Sequence, residues 1–387
     1  MNQTIKTGNR QIIQYAAVVF LFWVSLYLYV PTLPMYTQSK TSDLALVGII
    51  LSMYGLWQGL VRLPLGIYSD RLGVRKPLIL GGILLSAVGA FLLVTAQNSL
   101  MLLVGRAITG MSTGVWVLLV VGFSGLFPPG ENLRSIALIN MVNSVGMVVG
   151  SLLTGWLNGL GGYNLAFYLA IGLAVLAFLV LLPQKEIPRL PQKQSLSQIK
   201  SVITRRDILI PSLLGALAQY TVWATVFSFI PILAKQFGAS DVLQSLLQSF
   251  NLTVLLVGNL VVSFIVKRVG TRPLLYFSFA LLAAGFIFAA LANSLVFVVL
   301  AQFCNGFAMG IGFPILMGIS VEKTSEQERN TAMGLFQAVY AVGMFAGPGI
   351  SGFLANLIGI QPMFVFSALV VLIVSIAGIR KLKLSGG

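Results

Sequence analysis

The sequence contains no histidine, a single cysteine and only nine acidic residues among 387. Each absence removes a class of chemistry. Without histidine there is no imidazole to act as general base, metal ligand or proton relay. Cys304 alone forms no intrachain disulfide and no thiolate cluster. No Ser–His–Asp set can be assembled and no phosphate-binding glycine loop occurs, so neither an enzyme nor a cofactor is expected. Charged residues make up 9% of the chain, against roughly 25% in a soluble domain. A chain so poor in charge, and 57% hydrophobic, cannot cover itself with a solvated surface. Its solvent is lipid, and the bilayer is its first expected partner.

What is present is a recurrence of apolar runs, each long enough to cross a hydrocarbon core of ~30 Å. They fall near residues 11–36, 44–66, 77–97, 100–124, 135–158, 164–183, 208–234, 243–266, 273–292, 295–319, 330–356 and 362–380. The polar start, Asn2 to Arg10, leads into a run too long for a signal-peptide core and reads as the first transmembrane helix. An even number of spans puts both termini on one side.

Charge chooses the side. The formal net charge is +15. In a soluble protein that would suggest nucleic acid. Here the basic residues sit in short connections, so orientation in the membrane explains them and no nucleic acid is expected. Of the 24 Lys and Arg residues, only Lys40 and Lys235 lie in the connections opposite the termini, and only Arg62 and Arg106 lie within spans. All others flank the termini or the connections on their side. The positive side is cytoplasmic, which predicts a cytoplasmic (inner) cell membrane location with both termini inside.

The longest connection, rich in Pro, Gln, Ser and Lys, divides the spans six and six, and the halves repeat. Gly146-x-x-x-Gly150 with Thr154-Gly155 returns as Gly343-x-x-x-Gly347 with Ser351-Gly352. In the same register Asn140 matches Gln337 and Asn143 matches Tyr340. Arg106-x-x-x-Gly110-x-x-x-Gly114 returns as Gln302-x-x-x-Gly306-x-x-x-Gly310, and Gly73 and Arg75 return as Gly270 and Arg272. Small residues four apart mark helix-packing faces. Their recurrence at one offset indicates a parallel repeat.

Between the second and third runs lies Gly66-Ile67-Tyr68-Ser69-Asp70-Arg71-Leu72-Gly73-Val74-Arg75-Lys76-Pro77. It reads as a short charged hinge, with Gly66 and Gly73 where two helix ends approach closely and Pro77 in the first turn of the next helix. This stretch resembles the helix 2–3 loop of the major facilitator superfamily, with Val74 at a position often basic there. The resemblance implies an all-α polytopic fold of 12 transmembrane helices in two pseudo-symmetric six-helix bundles, residues 1–183 and 208–387, joined by a cytoplasmic linker at 184–207. It also implies a small-molecule substrate and a monomer working by alternating access.

The resemblance assigns Gly66, Asp70, Arg71, Gly73, Arg75 and Lys76 to a cytoplasmic gate. Asp70 would pair with basic residues and a helix N-terminus across the halves. The second-half copy, Ser263-x-x-x-Lys267-Arg268-Val269-Gly270-Thr271-Arg272, lacks both the leading glycine and the acid, so the latch is expected to be one-sided. Arg106 matches the basic residue of the superfamily's span 4 motif. A charge within a span is costly and points to function, although Arg106 lies close enough to one end to snorkel. Arg62 lies near the inner end of span 2, where function and hydrogen bonding to helix carbonyls stand as equal readings. The two lie toward opposite faces and are not expected to share one ligand.

Polar residues within spans outline a cavity: Tyr29, Asn140, Asn143, Gln219, Trp223, Gln248, Asn251, Gln302, Gln337 and Tyr340, with Tyr54, Gln58, Trp116, Gln244 and Asn305 as further members. Gln244, Gln248 and Asn251 share one helix face. Pro31, Pro34 and Pro231 mark either bends or helix ends. All nine acids, by contrast, fall in loops or at span ends, and the Gly-Pro pair of the drug-antiporter signature is broken by Ser151 and intact only at Gly347-Pro348. The basic, acid-free interior favours facilitative or secondary transport of a neutral or anionic organic solute, by uniport, exchange or substrate-borne coupling. The alternatives are a proton-coupled multidrug efflux antiporter, with Asp70 as carrier, and a non-transporting receptor on the same fold.

The charge pattern generates a topology prediction. In intact cells an impermeant thiol reagent should label a cysteine placed at Ser42 and spare one placed at Ser195. The reverse pattern overturns the orientation.

Overall fold

The computed structural model describes residues 9–128, 131–184, 186 and 204–382. Most of the predicted linker lies outside them, as do Lys6, Lys185, Arg189, Lys193, Lys200 and Lys383. Among the described residues there is no strand. The helices are α1 (Arg10–Gln38), α2 (Leu44–Leu72), α3 (Lys76–Val94), α4 (Ser99–Ser124), α7 (Arg206–Gln236), α8 (Asp241–Val269), α9 (Thr271–Ala290), α10 (Leu295–Glu322), α11 (Glu326–Ile358) and α12 (Ile360–Arg380). Between α4 and α7 runs one stretch, Asn132–Leu181, of 50 residues. As a straight helix it would be about 75 Å long, more than twice a hydrocarbon core of ~30 Å.

It is two crossings, α5 (132–160) and α6 (163–181). The backbone leaves helical geometry at Gly161 and Gly162, and Gly162 has φ +65°. Contacts along α1 show the reversal. Gly146 and Gly150 pack on Phe20 and Val24, so α5 runs parallel to α1. Gln14 donates to the Val180 carbonyl, Ser25 donates to the Ala170 carbonyl, and Tyr29 stacks on Phe167, so α6 runs antiparallel. The described residues are therefore all-α, with 12 membrane-crossing helices in two bundles.

Polar residues at the helix ends do local work. Asp43 accepts from the backbone N–H groups of Ala45 and Leu46 at the start of α2, Asn98 caps α4, Ser240 caps α8, and Ser325 with Glu328 forms a capping box on α11. Such caps satisfy donors that have no intrahelical partner.

The repeat is visible as packing. Gly146 and Gly150 on α5 lie against the Phe20 and Val24 carbonyls of α1; Gly343 and Gly347 on α11 lie against the Ala216 and Tyr220 carbonyls of α7. Gly110 on α4 abuts the backbone of Tyr54, and Gly306 on α10 abuts that of Asn251. Lipid supplies little hydrophobic drive between helices, so close backbone approach is what holds these crossings.

Two sequence expectations need correction. The Gly66–Pro77 stretch is not a hinge throughout: α2 continues to Leu72, and only Gly73 ends it, in the left-handed conformation at φ 66°. Gly66 marks no close approach either, because a Cβ there would meet nothing within 4 Å. The proline readings resolve toward bends. α1 breaks at Leu28 and Tyr29, makes a 3-10 turn over Val30–Thr32 and resumes as helix. α7 contains a π-helical turn, Thr225–Phe229, just before Pro231.

These contacts predict a contrast between two glycines. Gly343→Leu forces α11 off α7 and should destabilise the fold by about 1–3 kcal/mol or more, seen as a lower melting temperature in detergent. Gly66→Leu should leave it unchanged. Equal effects would refute the packing assignment.

Candidate functional site

The bundles meet along two seams, α2 with α11 and α5 with α8. On the first, Gly48 packs on Pro348 and Gly352, Gly55 on Met344, and Gly59 on Ala341. Beyond Arg62 the seam parts: a Cβ at Gly66 or Gly334 would meet nothing within 4 Å. On the second, Gly155 lies against Asp241 and Val242. The Asn158 side-chain amide donates to Asp241 Oδ2 at 2.9 Å and to Thr32 Oγ1 at 3.0 Å, and Lys235 Nζ lies 3.8 Å from Asp241. Among the described residues the bundles are thus closed on the side away from the termini and, at Gly66 and Gly334, open toward the terminal side.

The irregular segments of α1 and α7 face each other at this closed region. Tyr27, Tyr29, Val30 and Leu33 from α1 and Trp223 and Phe227 from α7 enclose a cavity with Tyr54 of α2 and Arg106 of α4. Broken backbone is tolerated at membrane depth where it is buried in protein. The space left is about 10 Å³, room for roughly one water. In this conformation the site is collapsed.

Its walls form a stack. Arg106 lies with its guanidinium carbon 4.6 Å from the centre of the Tyr54 ring, Tyr54 stacks on Trp223 at 5.1 Å, and Trp223 stacks on Phe227 at 4.7 Å. The stack spans both bundles. Arg106 is 3% exposed, with its Nε unpartnered, so it does not snorkel. A guanidinium over an aromatic face is attracted by the ring quadrupole.

Arg62 is also buried, and among the described residues it bonds no helix carbonyl. Its Nη1 donates across the α2–α11 seam to Gln337 Oε1 at 3.2 Å and to the Tyr340 hydroxyl. Among the described residues neither Arg62 nor Arg106 has a carboxylate at ion-pair distance. On α2, Arg62 is eight residues past Tyr54, about 12 Å along the axis.

The other expected cavity residues divide. Tyr29 and Trp223 line the cavity. Asn140 is exposed, Asn143 and Gln219 are half-buried, and Asn143 Oδ1 is unpartnered. The polar face of α8 turns into packing instead. Gln244 donates to the Pro231 carbonyl and Asn251 to the Gln302 carbonyl, so both tie neighbouring helices together. Gln248 Nε2 and Gln302 Oε1 are buried and unpartnered. Trp116 packs edge-on against Trp23 inside the first bundle.

At the terminal side Asp70 pairs with Arg75 at 3.8 Å, within its own bundle. Arg71 occupies the last turn of α2. Arg75 and Lys76 donate backbone N–H groups to the two oxygens of Glu186, at 2.7 and 2.8 Å, and Lys76 Nζ donates to the Leu182 carbonyl. A carboxylate from beyond α6 therefore caps α3. In the second half Arg272 makes the matching contact to the Leu382 carbonyl.

Sequence reading missed Glu186, the Asn158–Asp241 tie, Tyr27 and Phe227. Phe227, one turn after Trp223, was accessible as an aromatic pair at helical spacing. The tie and the Glu186 cap had no signal, because each joins residues remote in sequence.

A two-bundle polytopic helical protein, with a site enclosed by broken helices between the bundles, has the build of a membrane transporter. The Major Facilitator Superfamily profile matches residues 15–218 and 212–385, and the chain belongs to that superfamily. It is similar to the quinolone resistance protein NorA of Staphylococcus aureus, 23% identical over 364 residues and 89% of each chain. It is also similar to the multidrug resistance protein MdtH of Aeromonas hydrophila, 28% identical over 318 residues, 78% of this chain and 76% of the other. Its fold superposes on the nucleoside transporter NupG with TM-score 0.80 at 17% identity, covering 97% and 99% of the chains. A bacterial homologue of the human lysosomal transporter Spinster, inward-facing and unoccupied, gives TM-score 0.79 at 14% identity with full coverage of both. These structural likenesses show the fold.

The closed side supplies a prediction. Asp241→Ala removes the acceptor of Asn158 and should loosen the α5–α8 seam. Double electron–electron resonance between spin labels at the non-terminal ends of α5 and α8 should show longer distances. An unchanged distribution would reduce the tie to a surface contact.

Proposed function

We propose that this chain is an alternating-access exporter of small aromatic solutes that are neutral or anionic, working in the cytoplasmic membrane with both termini inside. The observation that carries the reading is the stack of Arg106, Tyr54, Trp223 and Phe227 across both bundles. It offers π-faces and a positive charge. The carboxylates of the described residues lie at helix ends or loops, and none of them is at ion-pair distance from Arg106. A cationic drug would meet repulsion here and find no counter-charge. Outward direction is supported by the relatives named for drug resistance.

The moving bodies are the bundles 1–183 and 208–387, linked through 184–207. Asn158, Thr32 and Asp241 hold the closed side; the Gly66–Lys76 segment, with Asp70, forms the opposing gate when the bundles tilt the other way. With the interior free of acid, coupling proceeds by exchange or by a proton carried on the substrate. Solute enters from the open terminal side, displaces the collapsed aromatic contacts and is released as the seams exchange.

The test is flux in proteoliposomes with 2-naphthoate and tetraphenylphosphonium as probes. The wild-type protein should carry naphthoate in preference to the cation. Arg106→Gln should lower naphthoate flux about tenfold or more, equivalent to about 1.4 kcal/mol. Preferred transport of the cation would overturn the reading.

A further inference from the structure

We infer that Arg62 is a second anion-recognition point, and that a substrate carboxylate takes its guanidinium away from Gln337 and Tyr340, so that binding itself unlocks α2 from α11. This rests on the reading above and adds to it the group that selects charge and the step it triggers.

The argument starts from cost. A guanidinium in a membrane interior is expensive unless paired. Arg62 is 8% exposed, its Nε is unpartnered, and its bonds go to two neutral acceptors, Gln337 Oε1 and the Tyr340 hydroxyl. The Tyr340 ring adds a weak contact, its centre 5.8 Å from the guanidinium carbon. Neutral acceptors satisfy donors without neutralising charge. A carboxylate does both and can take two guanidinium N–H groups at once. An arriving anion therefore wins the exchange.

Position makes the exchange consequential. Arg62 lies where the close glycine contacts of the α2–α11 seam end: Gly59, one turn before it, still abuts Ala341, while a Cβ at Gly66, one turn after it, would meet nothing within 4 Å. Gln337 and Tyr340 are half-buried at the same level. A solute entering from the open terminal side meets Arg62 before it reaches the aromatic stack. Both acceptors belong to the opposite bundle, so the anion replaces a tie between bundles with a tie to substrate. A neutral solute has no such claim on the guanidinium and leaves the tie in place.

The experiment uses the full-length protein in proteoliposomes and a matched pair of probes, 2-naphthoate and 2-naphthamide, alike in shape and different in charge. Wild type should carry naphthoate at least about tenfold faster than the amide. Arg62→Gln should bring the ratio to about one, and Arg62→Lys should restore part of it. Gln337→Glu places a fixed carboxylate beside Arg62; it should raise the melting temperature of the empty protein and abolish the naphthoate preference. This second variant keeps the test decisive if Arg62→Gln folds poorly. If wild type carries the amide as fast as naphthoate, this inference falls, while the reading above stands or falls separately on the preference for naphthoate over tetraphenylphosphonium. If the preference is present and survives both Arg62→Gln and Gln337→Glu while Arg106→Gln removes it, the reading stands and Arg62 is only a strut.

Discussion

Positive charge buried without a fixed counter-charge is the constraint around which this transporter is arranged. Two arginines sit between the bundles, and the carboxylates of the described residues lie at the margins. Arg106 is accommodated by an aromatic face and Arg62 by neutral oxygens from the opposite bundle. Both solutions are partial, because a ring quadrupole and an amide oxygen lower the energy of a cation without cancelling it. Incomplete satisfaction suits a carrier. A site fully paired by its own carboxylates would gain little from a ligand, whereas one held by weak partners can exchange them.

The second constraint is backbone. In hydrocarbon every N–H and C=O must be satisfied internally, so irregular helix is confined to protected places. Here the break in α1 and the π-turn in α7 meet at the cavity, where α2, α4 and each other shield them. The same segments carry Tyr29 and Phe227. Helix distortion and candidate recognition thus coincide, and straightening α1 or α7 would move the aromatic walls.

The two sides of the molecule are held by different means. Away from the termini the bundles join through close glycine packing and a carboxylate that accepts from an amide across the seam. Toward the termini the charged segment after Gly66 places Asp70 near Arg75, and Glu186 from beyond α6 caps α3. Such an arrangement lets one side open while its loops keep their shape.

The sequence by itself determined the solvent, the number of crossings and the repeat, because each is written in local composition or at a constant offset. Twenty-residue apolar runs leave no alternative to helices across lipid, and glycines four apart place the crossings. It also placed Arg62 and Arg106 as the two charges within spans. Only the tertiary structure decided what those charges touch. Whether Arg106 reached for the lipid surface or for Tyr54, whether the polar face of α8 lined a cavity or bound Gln302 and Pro231, and where Asp241 and Glu186 find their partners depend on rotations of whole helices about their axes. A helix's own sequence specifies which residues share a face. Which neighbour that face meets is set by packing against other elements, 13 to 111 residues away for the hydrogen bonds named here, and a single chain read in order carries no record of it.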